Sequence, residues 1–176
     1  MKWLIASDIH GSAVCCEKLL TAFDREGADR LLLLGDILNR GDGGDAKSVA
    51  KMLNAMADKI TCVRGNCDSL STWKALDFPL QGGYITIPGI QGRTMFATHG
   101  HHYNSAHRPE DMERGDILLH GHTHVPMTER HESFLCFNPG SVSLPRYGSE
   151  RSYMTLYDGV FVWKTLDGQE YRRYEL

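Results

Sequence analysis

Residues 116–124 read Asp-Ile-Leu-Leu-His-Gly-His-Thr-His, an apolar run followed by imidazoles at every second position. The run Ile117–Leu119 predicts a short buried strand, so that His122 and His124 follow its carboxyl end. Open α/β sheets bind their ligands in the crevice at this end of the strands. Two imidazoles on one turn in such a crevice indicate a metal site.

The same arrangement recurs after the other predicted central strands. The turns that follow them contain Asp8-Ile9-His10, Gly35-Asp36, Gly65-Asn66-Cys67-Asp68 and Thr98-His99-Gly100-His101. Each glycine allows a sharp backbone turn, so that the neighbouring polar side chain faces the crevice. One aspartate after one strand would be an ordinary turn residue. Because a carboxylate or imidazole follows every predicted central strand, we expect one shared site.

The candidate donors comprise two carboxylates, one amide and four imidazoles. Oxygen and nitrogen donors of this kind suit Mn, Fe, Zn, Ni or Co better than an ion that prefers thiolates. A carboxylate has two oxygens and can therefore bridge two cations.

The predicted elements follow two patterns along the chain. Strands over 2–7, 30–34 and 59–64 alternate with helices that begin after Ser12 and Asp45, and this order predicts a largely parallel sheet. The second half carries further short strands: 84–88, 94–98, 117–119, 134–137, 154–157 and 160–163, the last two joined at Asp158-Gly159. We therefore expect a single α/β domain over residues 1–176, with two packed mixed sheets whose outer faces are covered by helices.

Composition restricts the class of protein. The chain has 176 residues, 41% hydrophobic and 23% charged, and a formal net charge of -3. This balance is typical of a globular domain and argues against a nucleic-acid binder, which usually has a basic face. The five cysteines lack the spacing of a disulfide framework, and no apolar run approaches the ~20 residues of a membrane span. We expect a cytoplasmic protein with no membrane partner.

The order and spacing of these motifs resemble the calcineurin-like metallophosphoesterase superfamily over nearly the whole chain. The short length, Cys67 and the turn Asn138-Pro139-Gly140-Ser141 are most similar to its small YfcE-like phosphodiesterase branch. The resemblance implies a four-layer αββα sandwich that holds two divalent cations. Mn²⁺ is favoured, with Ni²⁺, Fe²⁺, Co²⁺, Zn²⁺ and Mg²⁺ as alternatives.

The resemblance also implies roles for the candidate ligands. Asp36 would bridge the two cations, with Asp8, His10 and His124 on the first and Asn66, His99 and His122 on the second. A hydroxide shared by the cations would attack the phosphorus of a small phosphodiester directly, without a covalent enzyme intermediate. Catalytic roles are then expected for Asp36, Asn66, Cys67 and His101, and substrate contacts for Asn39, Cys67 and His101.

Cys67 departs from the superfamily pattern, in which a histidine often follows the asparagine and helps to protonate the leaving oxygen. A neutral thiol supplies neither a cation nor an efficient acid at pH 7. Without that cation, a doubly charged monoester loses more electrostatic stabilisation than a singly charged diester does. We therefore predict a preference for diesters. A small buried filler remains an equal alternative for Cys67, and Arg40 either approaches the phosphate or lies in a solvated loop.

Other functions fit the same pattern less well. A phosphomonoesterase or nucleotide pyrophosphatase would use the same site. A non-catalytic scaffold is the next alternative, because a retromer subunit resembles this fold, but it should show damaged ligand positions. A DNA nuclease of the superfamily would carry extra DNA-binding elements. This chain is short and slightly acidic, so a nuclease is disfavoured. No pattern decides whether the protein forms a homo-oligomer.

Overall fold

A computed structural model describes residues 1–39 and 45–176 of the chain, with no side-chain description at positions 88 and 89. Residues 40–44, which include Arg40, lie outside the described residues. The strands of the described part are β1 (Trp3–Ala6), β2 (Arg30–Leu33), β3 (Ile60–Val63), β4 (Leu80–Gln81), β5 (Tyr84–Ile90), β6 (Arg93–Thr98), β7 (Ile117–Leu119), β8 (Pro126–Arg130), β9 (Leu135–Pro139), β10 (Ser152–Tyr157), β11 (Val160–Thr165) and β12 (Glu170–Glu175).

The helices of the described residues are α1 (Ala13–Glu26), α2 (Ala46–Asn54) and α3 (Leu70–Ala75), with one 3-10 turn at Ala57–Lys59. Ser12 caps α1 by accepting from the backbone N–H of Cys15 at 3.4 Å, and Gly27 ends it with φ 59°. Asp45 caps α2 by accepting from Ser48 N at 3.0 Å. These caps confirm the predicted helix starts, because each side-chain oxygen satisfies an otherwise unpaired N–H of the first turn.

Two mixed sheets form the body of the molecule, which confirms the predicted α/β class. The seven-stranded sheet has the order β12-β11-β10-β1-β2-β3-β4, and the five-stranded sheet has the order β5-β6-β7-β9-β8. Strands β1, β2, β3 and β4 are parallel to one another, as are β6, β7 and β9. The carboxyl ends of each parallel set therefore lie at one edge of its sheet.

The two sheets pack face to face through a buried apolar layer. Phe137 of the five-stranded sheet lies 4.8 Å from Phe161 and 5.5 Å from Trp163 of the other sheet, measured between ring centroids. The indole N–H of Trp163 donates to the carbonyl of Asn138 at 2.7 Å. The hydrogen bond satisfies the polar end of a fully buried indole, as such a group requires.

The outer faces of the sheets are covered differently. Helices α1 and α2 pack on the seven-stranded sheet through Leu19, Phe23, Val49 and Leu53, all of which are buried. On the five-stranded sheet, the outer face packs instead against Met112, which lies in the loop between β6 and β7. The prediction of helices on both outer faces is thus corrected for the described residues. Asparagine, serine and proline in the 99–116 loop disfavour a continuous helix.

Candidate metal centre

All candidate ligands lie in turns at the carboxyl ends of the parallel strands. Asp8 and His10 follow β1, Asp36 follows β2, and Asn66 follows β3. His99 follows β6 of the other sheet, and His122 and His124 follow β7. The packing of the two sheets places both sets of turns in contact, so residues more than a hundred positions apart share one site.

The backbone at these turns is strained at several of the candidate ligand residues. Five candidate ligands have left-handed φ angles, which non-glycine residues adopt rarely: Asp8 (59°), His10 (49°), Asp36 (55°), His122 (66°) and His124 (62°). Strain of this kind costs free energy and persists where surrounding structure enforces it, which is common at functional sites. The strain supports a functional reading of these turns.

Two glycines allow the loops to approach one another. A Cβ on Gly35 would lie 2.6 Å from the backbone nitrogen of Gly65, in the next loop of the same sheet. A Cβ on Gly121 would collide with the Ser7 hydroxyl and lie 2.9 Å from Asp8 Oδ2. Both positions therefore require glycine for close contact between loops, and not only for a turn.

Three imidazoles are held by backbone carbonyls. His10 Nδ1 donates to Asn39 O at 3.0 Å, His99 Nδ1 to Leu34 O at 2.7 Å, and His124 Nδ1 to Leu144 O at 2.7 Å. In the neutral form, a proton on Nδ1 leaves the lone pair on Nε2. Each Nε2 faces the centre of the site. Such anchoring is typical of histidines that bind metals.

One group of donors converges around Asp8. His124 Nε2 lies 3.3 Å from Asp8 Oδ1, and His10 Nε2 lies 3.6 Å from the same oxygen. His10 Nε2 also lies 3.7 Å from Asp36 Oδ2. The atoms of Asp8, His10 and His124 lie within 4.8 Å of one another, close enough to share a cation.

A second group converges on the other side of Asp36. His99 Nε2 lies 3.5 Å from Asp36 Oδ2, 2.9 Å from Asn66 Oδ1 and 3.2 Å from His122 Nδ1. Asp36 Oδ2 is thus close to His10 of the first group and to His99 of the second. The structure brings all seven predicted ligand residues together, and the division of these residues between two cations stays a prediction.

Asp8 shows that the donor set fits a cation. Its side chain is fully buried, and Oδ1 has no hydrogen-bond donor among the described residues. Burial alone would raise the pKa of Asp8, but His10, His124 and His99 hold that pKa well below its usual range. A buried, ionised oxygen without a donor is costly unless a cation neutralises it.

Cys67 lies in the cleft, as expected, and its thiol is neutral at pH 7. Its backbone N–H donates to Asp36 Oδ1 at 2.8 Å, which fixes the orientation of that carboxylate. Burial, reinforced by the nearby Asp36 carboxylate, raises the pKa of the Cys67 thiol to about 12. The side chain therefore supplies no positive charge to the cleft.

His101 and Asn39 are not among the residues that line the cleft. The ring of His101 lies 5.3 Å from that of His99, and burial lowers the pKa of His101 to about 4. The amide nitrogen of Asn39 donates to Cys67 O (3.1 Å), Ser69 Oγ (3.0 Å) and Thr72 Oγ1 (2.8 Å). Asn39 thus connects the loop after β3 and helix α3 to the backbone carbonyl that accepts from His10. Substrate contact by Asn39 or His101 stays a prediction.

Asp68 holds two of the ligand loops together. Its carboxylate accepts from the backbone N–H groups of Asp36 (2.8 Å), Ile37 (2.9 Å) and Gly65 (2.9 Å). Burial raises the pKa of Asp68, and these three donors oppose that effect.

The Asn138-Pro139-Gly140-Ser141 turn supports the ligand loops from the other sheet. Asn138 Nδ2 donates to Gly121 O at 2.8 Å, and the hydroxyls of Ser141 and Ser143 donate to Asp8 O at 3.0 and 3.1 Å. The sequence indicated a turn here but no role for it. The structure shows that it holds Asp8 and the turn before His122 in place.

A cleft of about 450 Å³ opens directly over the ligands. The described residues that line it are His10, Asp36, Asn66, Cys67, His122, His124, Leu144, Pro145 and Arg146. Arg146 was not predicted from the sequence, because an exposed arginine between two predicted strands carries no distinguishing pattern. All five cysteines are free, and none of the described helices has the length and apolar character needed for a membrane crossing.

Comparison with known proteins gives a consistent result. Residues 1–158 match the profile of the "Calcineurin-like phosphoesterase superfamily domain". The phosphodiesterase YfcE of Escherichia coli strain K12 is 38% identical over 175 residues, covering 96% of this chain and 94% of that protein. The solved structure of the E. coli phosphoesterase superposes with a TM-score of 0.93 over 99% of this chain and 98% of the other, at 36% identity.

A third comparison shows the fold alone. Vacuolar protein sorting 29 from Cryptosporidium parvum superposes with a TM-score of 0.67 over 99% of this chain and 98% of that chain. The two sequences are only 17% identical. Shared architecture at this identity does not indicate shared chemistry, so a function must be argued from the side chains of the site.

Proposed function

The chain belongs to the calcineurin-like phosphoesterase superfamily, and we propose that it is a metal-dependent phosphodiesterase that uses two divalent cations. The observation that carries this proposal is the convergence of seven oxygen and nitrogen donors below an open cleft. The 38% identity to phosphodiesterase YfcE, over almost the whole of both chains, supports the diester as substrate.

We further propose that Asp36 is shared between the cations. Its Oδ2 lies within 3.7 Å of His10 Nε2 and 3.5 Å of His99 Nε2. Cys67 N–H binds the other carboxylate oxygen, so that one oxygen is fixed by the chain and one faces both groups. Asp8, His10 and His124 would complete one site, and Asn66, His99 and His122 the other.

Bound divalent cations would supply Lewis acidity, which acidifies water and neutralises charge that develops at phosphorus. The chain itself contributes fixed geometry. The carbonyls of Asn39, Leu34 and Leu144 orient three imidazoles, and Asp68 fixes the loops of Asp36 and Asn66 relative to each other. The ligands therefore need little rearrangement during the reaction, which is the basis of electrostatic preorganisation.

Neither Cys67 nor His101, the two residues outside the ligand set for which a catalytic role was expected, is an efficient proton donor at pH 7. The pKa of Cys67 is raised to about 12, and the pKa of His101 beside the cleft is lowered to about 4. A general acid works best when its pKa is near the working pH. We therefore propose that the enzyme acts on diesters whose leaving group departs without strong acid assistance.

We propose Mn²⁺ on the strength of the family resemblance, and Ni²⁺, Fe²⁺, Co²⁺, Zn²⁺ and Mg²⁺ are also compatible with nitrogen and oxygen ligands. The small cleft and the net charge of -3 favour a small diester over nucleic acid as substrate.

The test compares an aryl phosphodiester with the aryl phosphomonoester of the same leaving group, at equal Mn²⁺. A higher kcat/KM for the diester is expected. A higher value for the monoester would make the protein a phosphomonoesterase, and faster cleavage of a dinucleotide pyrophosphate would make it a pyrophosphatase. Turnover of none of them by metal-loaded protein would favour the scaffold.

A further inference from the structure

We propose that Arg146 is a specificity-determining residue whose guanidinium binds a non-bridging oxygen of the substrate phosphoryl group. The proposal rests on the proposed function, because it assigns the recognition of a phosphodiester in the same cleft. Arg146 lies in the loop of residues 144–149, between β9 and β10, and follows Leu144 and Pro145 along the cleft wall.

The charge of the cleft provides the first argument. Arg146 is the one permanently cationic side chain among the described residues that line the cleft. An arginine is fully protonated at any working pH, and its planar guanidinium matches two oxygens of a phosphate group. A second positive centre, beside the ligands, is therefore available to an anionic substrate.

The backbone of the loop provides the second argument, because it is bonded directly to a candidate ligand. His124 Nδ1 donates to Leu144 O at 2.7 Å, and Arg146 N donates to His124 O at 3.3 Å. Ser149 Oγ closes the loop by donating to Arg146 O at 2.7 Å. The position of the Arg146 backbone is thus fixed relative to His124.

The guanidinium itself is free for a ligand. Its side chain is exposed, and among the described residues it forms no ion pair, although Glu150 is only four positions away. Many exposed arginines are simply solvated. Arg146 differs from these because its loop is fixed at both ends and it lines the cleft over the ligands.

The chemistry of arginine limits what Arg146 does there. A guanidinium is not deprotonated in proteins, so it provides charge and hydrogen bonds but transfers no proton. It therefore does not replace the acid that a histidine at position 67 would supply. Its loss should weaken binding of the phosphoryl group and leave the dependence of rate on leaving-group pKa unchanged.

The experiment compares Arg146→Gln and Arg146→Lys with wild-type protein and with Arg114→Gln. Arg114 precedes β7 at the opposite end of the strands, so its substitution removes the same charge far from the cleft. Two quantities are measured for Mn²⁺-loaded protein: kcat/KM for an aryl phosphodiester, and the dissociation constant of inorganic phosphate by titration calorimetry. Metal content is determined for each variant.

We expect Arg146→Gln to lower kcat/KM by about 10–100-fold, mainly through KM, as loss of a charge-assisted hydrogen bond does. Phosphate binding should weaken similarly, while metal content is unchanged. Arg146→Lys should recover part of both quantities, and Arg114→Gln should match wild type.

Wild-type phosphate affinity and KM in Arg146→Gln would overturn the proposal. Equal losses in Arg114→Gln would also overturn it, because they would indicate a general effect of net charge. If wild-type protein cleaves no diester, the proposed function fails, and phosphate binding still decides whether Arg146 recognises the anion.

Discussion

His10 and His124 face each other with their Nε2 atoms 3.4 Å apart. Each ring has its Nδ1 bonded to a backbone carbonyl, so in the neutral form neither Nε2 carries a proton. Asp8 Oδ1 lies beside both nitrogens and has no hydrogen-bond donor among the described residues. A cation bound among these three atoms would be coordinated by two nitrogen lone pairs and one carboxylate oxygen.

Metal binding should therefore stabilise the fold. Mn²⁺ at 100 times its dissociation constant should add about 2.7 kcal/mol to the free energy of unfolding, because it binds the folded state. Differential scanning calorimetry with chelator and with Mn²⁺ measures the change. His124→Ala should lose most of it, whereas the exposed His107→Ala should keep it. An identical Tm with and without Mn²⁺ would contradict the site.

Asp68→Asn should lower both stability and metal affinity, although it replaces no candidate ligand. The amide directs an N–H toward one of three backbone donors that now bind the carboxylate. We expect a loss of about 1–3 kcal/mol in stability and of about 10–100-fold in metal affinity. Chemical denaturation and Mn²⁺ titration measure these quantities. Normal metal affinity in a destabilised variant would show that the loops hold their geometry without this carboxylate.

Cys67→His should raise the ratio of monoester to diester kcat/KM. The imidazole places a group with a pKa near neutrality beside the phosphoryl group, and a dianionic monoester gains most from it. Cys67→Ser is the matched control, because it adds no cation and should leave the ratio unchanged. The ratio is measured with aryl esters of one leaving group. An unchanged ratio in metal-loaded Cys67→His would show that the thiol at position 67 does not determine the preference for diesters.

A carboxylate remote from the cleft should make stability depend on pH. Glu26 is 7% exposed and contacts Lys2 at 3.1 Å and Lys164 at 2.8 Å. Burial would raise the pKa of Glu26, but Lys164, Tyr153 and Lys2 lower it overall. Since the folded pKa is depressed, the stabilisation is present above the unfolded value of 4.5 and is lost as pH falls through the folded value.

Glu26→Gln should therefore lower the free energy of unfolding by about 1–3 kcal/mol at pH 7 and have little effect below the folded pKa. Urea denaturation across pH measures the difference. Glu170→Gln is the control, since its ion pair with Arg173 is exposed and should contribute little at any pH. A Glu26→Gln effect of equal size at both pH values would indicate lost packing and not lost charge.

The parallel core was predictable because its strands are short apolar runs ended by turn residues. Strands β8 and β12 were missed since they alternate weakly and carry charged residues, as edge strands commonly do. Helix α3 was missed because six residues are too few to show a periodic apolar face.

The positions of the candidate ligands were predictable for a different reason, since each follows an apolar run with a glycine nearby. The roles of Asn39 and Arg146 were not predictable, because they depend on contacts between distant segments. The side chain of Asn39 donates to Thr72, 33 positions away in the sequence. The backbone N–H of Arg146 donates to the carbonyl of His124, which lies in the turn after β7. Such tertiary contacts leave no periodic trace in the sequence.

The most direct test of the account measures metal content and diester turnover on the same preparation, before and after exhaustive chelation. We predict about two divalent ions per chain, loss of turnover when they are removed, and recovery when Mn²⁺ is returned. Asp36→Asn should lose both the metal and the turnover, while the exposed Asp167→Asn should keep both. Full turnover by metal-free protein would contradict the account.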